Sequence, residues 1–483
     1  MNFRTVSKTL GIVLLAEAAF MIPSLIVALL FGDGDATAFF LTELLLLVTG
    51  LVLHSLPPSD RHLHTRDGLA IVGLGWLAIS FFGALPFWFS GAFPGLVDAF
   101  FESVSGFTTT GASILTEIEG LPAGILFWRS FTHWIGGMGV LVLTLAILPS
   151  VGGRAMHILK AESPGPAPEK LVPKIGQTAK ILYAIYVGLT LLETALLMVA
   201  GMNLYDALIH AFGTAGTGGF SSRNLSVGAY GSGWIDGIIT VFMLAFGVNF
   251  ALYYQLLRKK AGSVARDGEL RTYLLIVAVS MLLVAANLTG PVYGGFLESF
   301  RYAAFQVASI ITTTGYATAD FNLWPAFSQM ILLALMFVGA SAGSTGGGIK
   351  VVRFLLMFKL LRRELVRLIH PRSVHVVRLG GKPVEEETLS GVLLFFFVYL
   401  MVGASAVFLV SLDGMDMLTT TTSVLATISN IGPGLGLVGP MGNYAAFSPL
   451  SKLVLSFCMV TGRLEVFPML LLFVPSFWKR VNI

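Results

Sequence analysis

Apolar runs of about twenty residues recur along almost the whole of this chain, and no other feature limits its fold as much. Roughly 17–25 apolar residues is the length at which an α-helix crosses the hydrocarbon core of a bilayer. In that solvent only helices and closed barrels satisfy every backbone polar group. Ten such runs are read near 9–31, 37–55, 69–90, 125–149, 179–201, 235–257, 273–290, 327–357, 389–411 and 449–475. Of the 483 residues, 55% are hydrophobic and 12% charged, and the mean hydropathy is +0.83. A globule cannot hide that much apolar surface. The first run lacks a small-residue cleavage site and a second follows almost at once, so it reads as a retained helix and not a signal peptide. The single cysteine, Cys458, lies inside an apolar run, which excludes a disulfide framework or a cysteine metal site within the chain.

Basic residues orient the spans. Of 30 Lys and Arg, 25 fall in the terminal segments and in the loops at 55–68, 150–180, 258–272 and 350–382. The other five are Arg129, Arg223, Arg301, Lys452 and Arg463. With ten spans, the four basic loops and both termini share one side, which the positive-inside rule makes the cytoplasm. The formal charge of +4 therefore reports topology and lends little to a nucleic-acid reading. His62 and His64 flank a basic turn and read as a solvated face. The run RRELVRLIHPR (362–372) is an inner-surface anchor or helps dock a cytosolic partner.

Four short segments share a shape: SGFTTTGAS (105–113), GTAGTGGFSS (213–222), ITTTGYAT (311–318) and TISNIGPGLG (427–436). Their key glycines read as Gly111, Gly218, Gly315 and Gly432, with gaps of 107, 97 and 117 residues. That period marks whole repeated modules. Each segment follows a short apolar stretch, at 97–107, 204–214, 297–310 and 415–426. About 12 residues at roughly 1.5 Å each cover little more than half of a ~30 Å core. These stretches read as re-entrant half-helices, with Asp206 and Asp416 placed to favour a helix start. The expected fold is all-α and polytopic: two N-terminal spans (1–65), then four modules of span, half-helix, loop and span (66–155, 156–262, 263–382 and 383–483) around one central pore. Non-helical backbone at membrane depth is tolerated only where protein buries it or where it lines a watery path.

Glycine and threonine loops suit a dehydrated monovalent cation. Backbone carbonyls replace its water shell and have no proton to lose, and glycine permits the unusual backbone angles that bring successive carbonyls together. The loops hold no ring of carboxylates, which argues against a calcium filter. Taken together, these features resemble the Trk/Ktr/HKT superfamily of potassium transporters, most of all its bacterial TrkH branch. The resemblance covers the whole chain: the extra N-terminal spans, the four loops, GASAGSTGGGIK (339–350) and TGRLEVFP (461–468).

That resemblance implies potassium held by carbonyls of Thr109, Thr110 and Gly111, of Gly216, Thr217 and Gly218, of Thr313, Thr314 and Gly315, and of Asn430, Ile431 and Gly432. In the superfamily a serine at the first glycine goes with sodium transport, so Gly111 favours potassium. The resemblance also implies an intramembrane gate built from Gly339, Gly343, Ser344, Gly346, Gly347, Gly348 and Lys350, with Arg463 nearby. It implies a homodimer in the bacterial inner membrane and a TrkA-type cytosolic subunit that binds nucleotide. No cofactor is expected on this chain, with potassium as cargo.

Other readings of the same residues remain open. GASAGSTGGGIK is not a phosphate loop, because Gly348, Ile349, Lys350 and Val351 break the required Gly-Lys-Ser/Thr; close helix packing by small residues is its alternative role. Arg463 lines a cavity or pairs with an acid on another helix; Glu465, two residues on, is not on its helical face. His133 and His210 read as packing residues. A sodium-permeable or unselective channel of the same fold, or an organic-solute transporter with inverted repeats, are the competing functions. Protease and hydrolase motifs are missing from the sequence, so no enzyme is expected.

Overall fold

The computed structural model describes residues 1–56, 65–139, 175–373 and 375–479. His62, His64, most of the basic loop at 150–180 and the end of the 125–149 run lie outside the described residues. Apart from a hairpin pairing Arg378–Leu379 with Lys382–Pro383, the described residues hold no strand pairing longer than a single bridge.

α1 (Phe3–Phe31) and α2 (Ala36–Ser55) come first. They touch at Gly11 and Gly50, where a Cβ on Gly11 would lie 2.7 Å from the Gly50 carbonyl oxygen. Small residues at the crossing let two helices approach closely.

A pattern then recurs four times: a long helix, a half-length helix, a loop, a second helix. The first set is α3 (Thr65–Phe89), α4 (Leu96–Phe107) and α5 (Ala123–Gly137). The second is α6 (Ile175–Val199), α7 (Leu204–Gly216), α8 (Gly233–Phe246) and α9 (Phe250–Leu257), followed by the short α10 (Ala261–Ala265). The third is α11 (Gly268–Leu288), α12 (Phe296–Ile311), α13 (Ala326–Phe337) and α14 (Val351–Ile369). The fourth is α15 (Glu386–Val410), α16 (Met417–Ile428), α17 (Pro449–Arg463), α18 (Phe467–Leu471) and α19 (Pro475–Trp478). Six described helices, α1, α2, α3, α6, α11 and α15, are long and apolar enough to cross a membrane.

The short helices α4, α7, α12 and α16 have 12, 13, 16 and 12 residues. At ~1.5 Å per residue they fall short of a ~30 Å core. Two of them, α7 and α16, start at polar side chains, while α4 and α12 start at Gly95 and Gly295. Asp416 accepts from the Thr419 N–H at 2.9 Å. Asn203 accepts from the Asp206 N–H at 2.8 Å and donates back to the Asp206 carboxylate at 3.0 Å. Both arrangements satisfy donors that a helix start leaves free.

The second spans of modules two to four are broken, where hydropathy alone reads through. α8 and α9 meet at a 93° bend, with Asn249 capping α9 by accepting from the Ala251 N–H at 2.9 Å. Between α13 and α14 the chain leaves the helix for residues 338–350, where five glycines fall within twelve residues and each costs a helix about 1 kcal/mol relative to alanine. α17 stops at Arg463, and Glu465 and Val466 take left-handed angles (φ 54° and 72°) before α18. Most of these interrupted residues are apolar or small, and Asn249, Lys350, Arg463 and Glu465 are too few to pull the window average down, so mean hydropathy does not register the breaks.

Candidate functional site

The four half-helices end identically. Thr109, Thr217, Thr313 and Asn430 all have left-handed backbone, with φ of 55°, 57°, 59° and 56°. The next residue's N–H donates back five residues at 2.8 Å: Thr110 to Ser105, Gly218 to Gly213, Thr314 to Ser309 and Ile431 to Ala426. These are the double hydrogen bonds of a Schellman ending, a position usually given to glycine. A β-branched threonine there is strained by about 1–3 kcal/mol, and the strain is repeated in three of four modules. Each ending is followed by a glycine of positive φ: Gly111, Gly219, Gly315 and Gly432, at 76°, 80°, 80° and 93°.

The second loop is therefore offset from the register read in the sequence. Thr217 holds the place of Thr109, and Gly219, not Gly218, the place of Gly111. Gly218 corresponds to Thr110, and Gly216 to Thr108. Consecutive glycines made both registers readable; the backbone angles choose one. Gly218 has its own reason to lack a side chain, since a Cβ there would run into the His133 imidazole. His133 is fixed by donating from Nδ1 to the Gly106 carbonyl at 2.7 Å and by stacking on Phe220 with centroids 4.1 Å apart. His210 bonds to the Asp206 carbonyl and the Ser221 hydroxyl. Both histidines pack as expected, but His133 does so directly behind the second loop.

The loops close on one another in order. A Cβ on Gly111 would overlap the Gly218 carbonyl oxygen, one on Gly219 the Thr314 oxygen, one on Gly315 the Ile431 oxygen, and one on Gly432 would crowd the Thr110 oxygen. Module one thus meets two, two meets three, three meets four, and four returns to one. The carbonyls of Thr110, Gly218, Thr314 and Ile431 are buried and accept no hydrogen bond among the described residues. Side chains tie the ring further: Asn430 Nδ2 donates to Thr110 Oγ1 at 3.0 Å and to the Met459 carbonyl at 2.8 Å.

Residues 339–350 lie against this ring. The Gly347 N–H donates to Thr313 Oγ1 at 2.7 Å, a Cβ on Gly346 would lie 3.1 Å from the Thr312 oxygen, and one on Gly347 2.7 Å from the Ser429 oxygen. The segment is bent back on itself at its neck, where Gly339 N–H donates to the Ile349 carbonyl at 2.8 Å. Gly339 sits in that neck and Gly348 (φ 65°) packs across it. Gly343 (φ 69°) and Ser344 form the turn beyond it, the Ser344 hydroxyl donating to the Ser341 carbonyl at 2.6 Å. Lys350, buried, donates from Nζ to the Gly346 and Gly347 carbonyls. Arg463 reaches across: its guanidinium donates to the Thr345 carbonyl at 2.8 Å and to the Gly136 and Gly137 carbonyls at 2.6 and 2.7 Å. Arg463 thus joins the glycine segment to α5, while Glu465 pairs with Arg353 at 2.5 Å.

The other four cations outside the basic loops each meet an acid: Arg129 with Glu102 (2.7 Å), Arg223 with Asp206 (3.2 Å), Arg301 with Asp236 (2.7 Å) and Lys452 with Asp98 (2.7 Å). The buried Glu102 also accepts from the Ser113 hydroxyl and the Ile114 N–H, and Arg129 donates to the Ser221 carbonyl. One ion pair therefore braces the outer ends of loops one and two. Sequence reading singled out Arg129 and missed Glu102; the signal was a second acid, after Asp98, in a largely apolar half-helix.

The arrangement has known counterparts. The family model for TrkH, a cation transport protein, matches residues 37–480. The Trk system potassium uptake protein TrkH of Salmonella typhimurium is 41% identical over 99% of this chain and 100% of its own length, and that of Escherichia coli K12 is 40% identical with the same coverage. The crystal structure of the potassium transporter TrkH from Vibrio parahaemolyticus superimposes with a TM-score of 0.89 at 35% identity, covering 99% of this chain and 100% of that one. With matches of this extent, the chain belongs to the TrkH family of cation transport proteins and is a multi-span transporter, not an enzyme.

Proposed function

We propose that this chain takes up potassium across a bacterial inner membrane, the ion passing through the ring of four loops. The observation that carries this reading is the closed ring with its four buried carbonyls at Thr110, Gly218, Thr314 and Ile431, which meet no donor among the described residues. A cation that has shed its water is the partner such oxygens lack. The four half-helix C-termini add a negative potential of about half an elementary charge each. The relatives named as potassium uptake proteins lend the choice of ion.

In this reading the ion is held by the residue triplets ending at Gly111, Gly219, Gly315 and Gly432. The glycine segment 339–350 closes the path beneath them, with Lys350 and Arg463 fixing its tip. Both termini and the basic loops face the cytoplasm, two copies assemble, and a TrkA-type nucleotide-binding subunit docks on the basic face. The relatives' name, a Trk system, supports more than one component.

Flux into liposomes holding the purified chain, with potassium or sodium as the sole cation, tests the ion. Potassium flux should exceed sodium flux, and Gly111→Ser should move the ratio toward sodium. Equal fluxes in the unaltered protein would overturn potassium selectivity. An unchanged ratio in a folded Gly111→Ser protein would overturn the role of the ring.

A further inference from the structure

The glycine segment is held by a residue that lies outside it. α11 begins at Gly268, and the second residue of that helix, Glu269, turns its carboxylate toward the neck of residues 339–350. Its Oε1 accepts from the Ala342 N–H at 2.7 Å and from the Val352 N–H at 3.1 Å. Those two donors are ten residues apart and stand on opposite limbs of the segment. Between them the limbs are hydrogen-bonded through backbone, Gly339 to Ile349 and Val351 to Ala340.

Half of this arrangement is an ordinary helix cap. α14 starts at Val351 with Lys350 at the capping position, and the Lys350 side chain makes no capping bond. The first N–H groups of a helix lack partners and favour a negative charge. Glu269 supplies one from a different helix. A cap needs only the Val352 bond, however. The bond to Ala342 contributes nothing to α14 and restrains the limb that leads to Gly343 and Gly346.

We propose that Glu269 is a positioning residue that latches the glycine segment beneath the ring, a single carboxylate oxygen holding both limbs of its neck. This rests on the reading of that segment as the gate. Swinging the segment away breaks the Ala342 bond, while the Val352 bond keeps α14 in place. The latch also lies on the route from the basic face. Arg258, Lys259, Lys260 and Arg266 immediately precede it. Arg271 Nε donates to the Ala265 carbonyl at 2.6 Å, so α10 and the first turn of α11 are tied together. A partner drawn to those cations pulls on the turn that carries Glu269.

The test is basal flux through the full-length chain in liposomes without any partner. Glu269→Ala should raise it about tenfold, the equivalent of one lost charge-assisted hydrogen bond, with the potassium-to-sodium ratio unchanged. Glu269→Gln keeps an acceptor and loses the charge, so a smaller rise of about threefold is expected; this variant decides the matter if the alanine protein fails to fold. Asp267→Ala is the control: it removes the cap of α11 at Leu270 N–H without touching the segment, and it should leave basal flux as it was. Removing residues 343–347 separates the two ideas. If that deletion raises flux while folded Glu269→Ala and Glu269→Gln do not, the latch is wrong and the gate stands. If the deletion does not raise flux, gate and latch both fall. A rise with Glu269→Ala that persists undiminished in the deletion, or that alters selectivity, acts elsewhere and overturns the latch.

Discussion

The hydroxyl of Thr313, a residue strained into the left-handed region at φ 59°, accepts a 2.7 Å hydrogen bond from the Gly347 N–H. The third loop of the ring and the glycine segment below it therefore share a bond. Moving the segment frees the Thr313 hydroxyl, and with it one restraint on a backbone conformation costing about 1–3 kcal/mol. Under the proposed function selection and obstruction are adjacent, and variants have to be read by which of the two they disturb.

The register of the second loop can be decided by substitution. Gly219→Ala places a methyl group against the Thr314 carbonyl and forces a side chain into φ 80°. It should lower the potassium-to-sodium flux ratio about tenfold, the effect of ~1.4 kcal/mol. Gly218→Ala instead collides with the His133 ring, and pairing it with His133→Ala should restore much of its lost flux. Additive effects of Gly218→Ala and His133→Ala, measured as a double-mutant cycle, would place the residues apart.

Much of this was legible in the sequence for a physical reason. A half-helix too short to span, followed by a glycine where backbone must turn, is a local pattern, and four copies of it pointed to a shared axis. The one-residue offset at Gly219 was not legible, because Gly216, Gly218 and Gly219 all permit the turn and only φ separates them. The breaks at Gly247 and at Glu465–Val466 were hidden for another reason: the flanking residues are apolar enough to carry the window average across them, and the partners that meet each break, Ser341 and Gly343 at the first and Arg353 at the second, come from another module. Arg129 could be flagged by its place outside the basic loops. Its partner Glu102 is 27 residues earlier, and only the fold brings the two together.

That pair offers a stability prediction. Arg129 and Glu102 are 2% and 0% exposed, and Arg129 also lies 3.5 Å from the centre of the Phe220 ring. Removing one member of a buried pair leaves an uncompensated charge and costs roughly 3–5 kcal/mol. Glu102→Ala should therefore lower the melting temperature in detergent more than Arg223→Ala, whose guanidinium is 42% exposed against Asp206. Equal melting temperatures for the two variants would remove the brace between loops one and two.

Topology can be checked without disturbing the ring. Cys458 is buried and should stay silent to an impermeant thiol reagent. Thr116→Cys, exposed beyond the first loop, should label only from outside; Ser263→Cys, exposed on α10, only from inside. Labelling of both from one face would contradict the placement of the basic loops in the cytoplasm. A thiol at Ser163 probes the same side but lies outside the described residues.

The gate reading makes the sharpest demand. Arg463 donates to Thr345 on the glycine segment and to Gly136 and Gly137 on α5, so its guanidinium holds the segment against the first module. Its positive charge also opposes cations in a low-dielectric passage. Arg463→Ala removes the fastening and the charge together, and basal potassium flux should rise. Arg463→Lys keeps the charge but, as a single ammonium, cannot span both sets of carbonyls in the same way as a planar fork. Comparing the two separates repulsion from fastening: if Lys restores the low basal flux, charge dominates; if it leaks like Ala, the fastening does. In either case the deletion of residues 343–347 should absorb most of the Arg463→Ala effect, because both changes act on one barrier and such changes do not add. Flux that rises independently for the two would mean that Arg463 guards a different point along the path. Unchanged flux for both, in protein of normal stability, would leave the segment as a packing device and place the gate elsewhere.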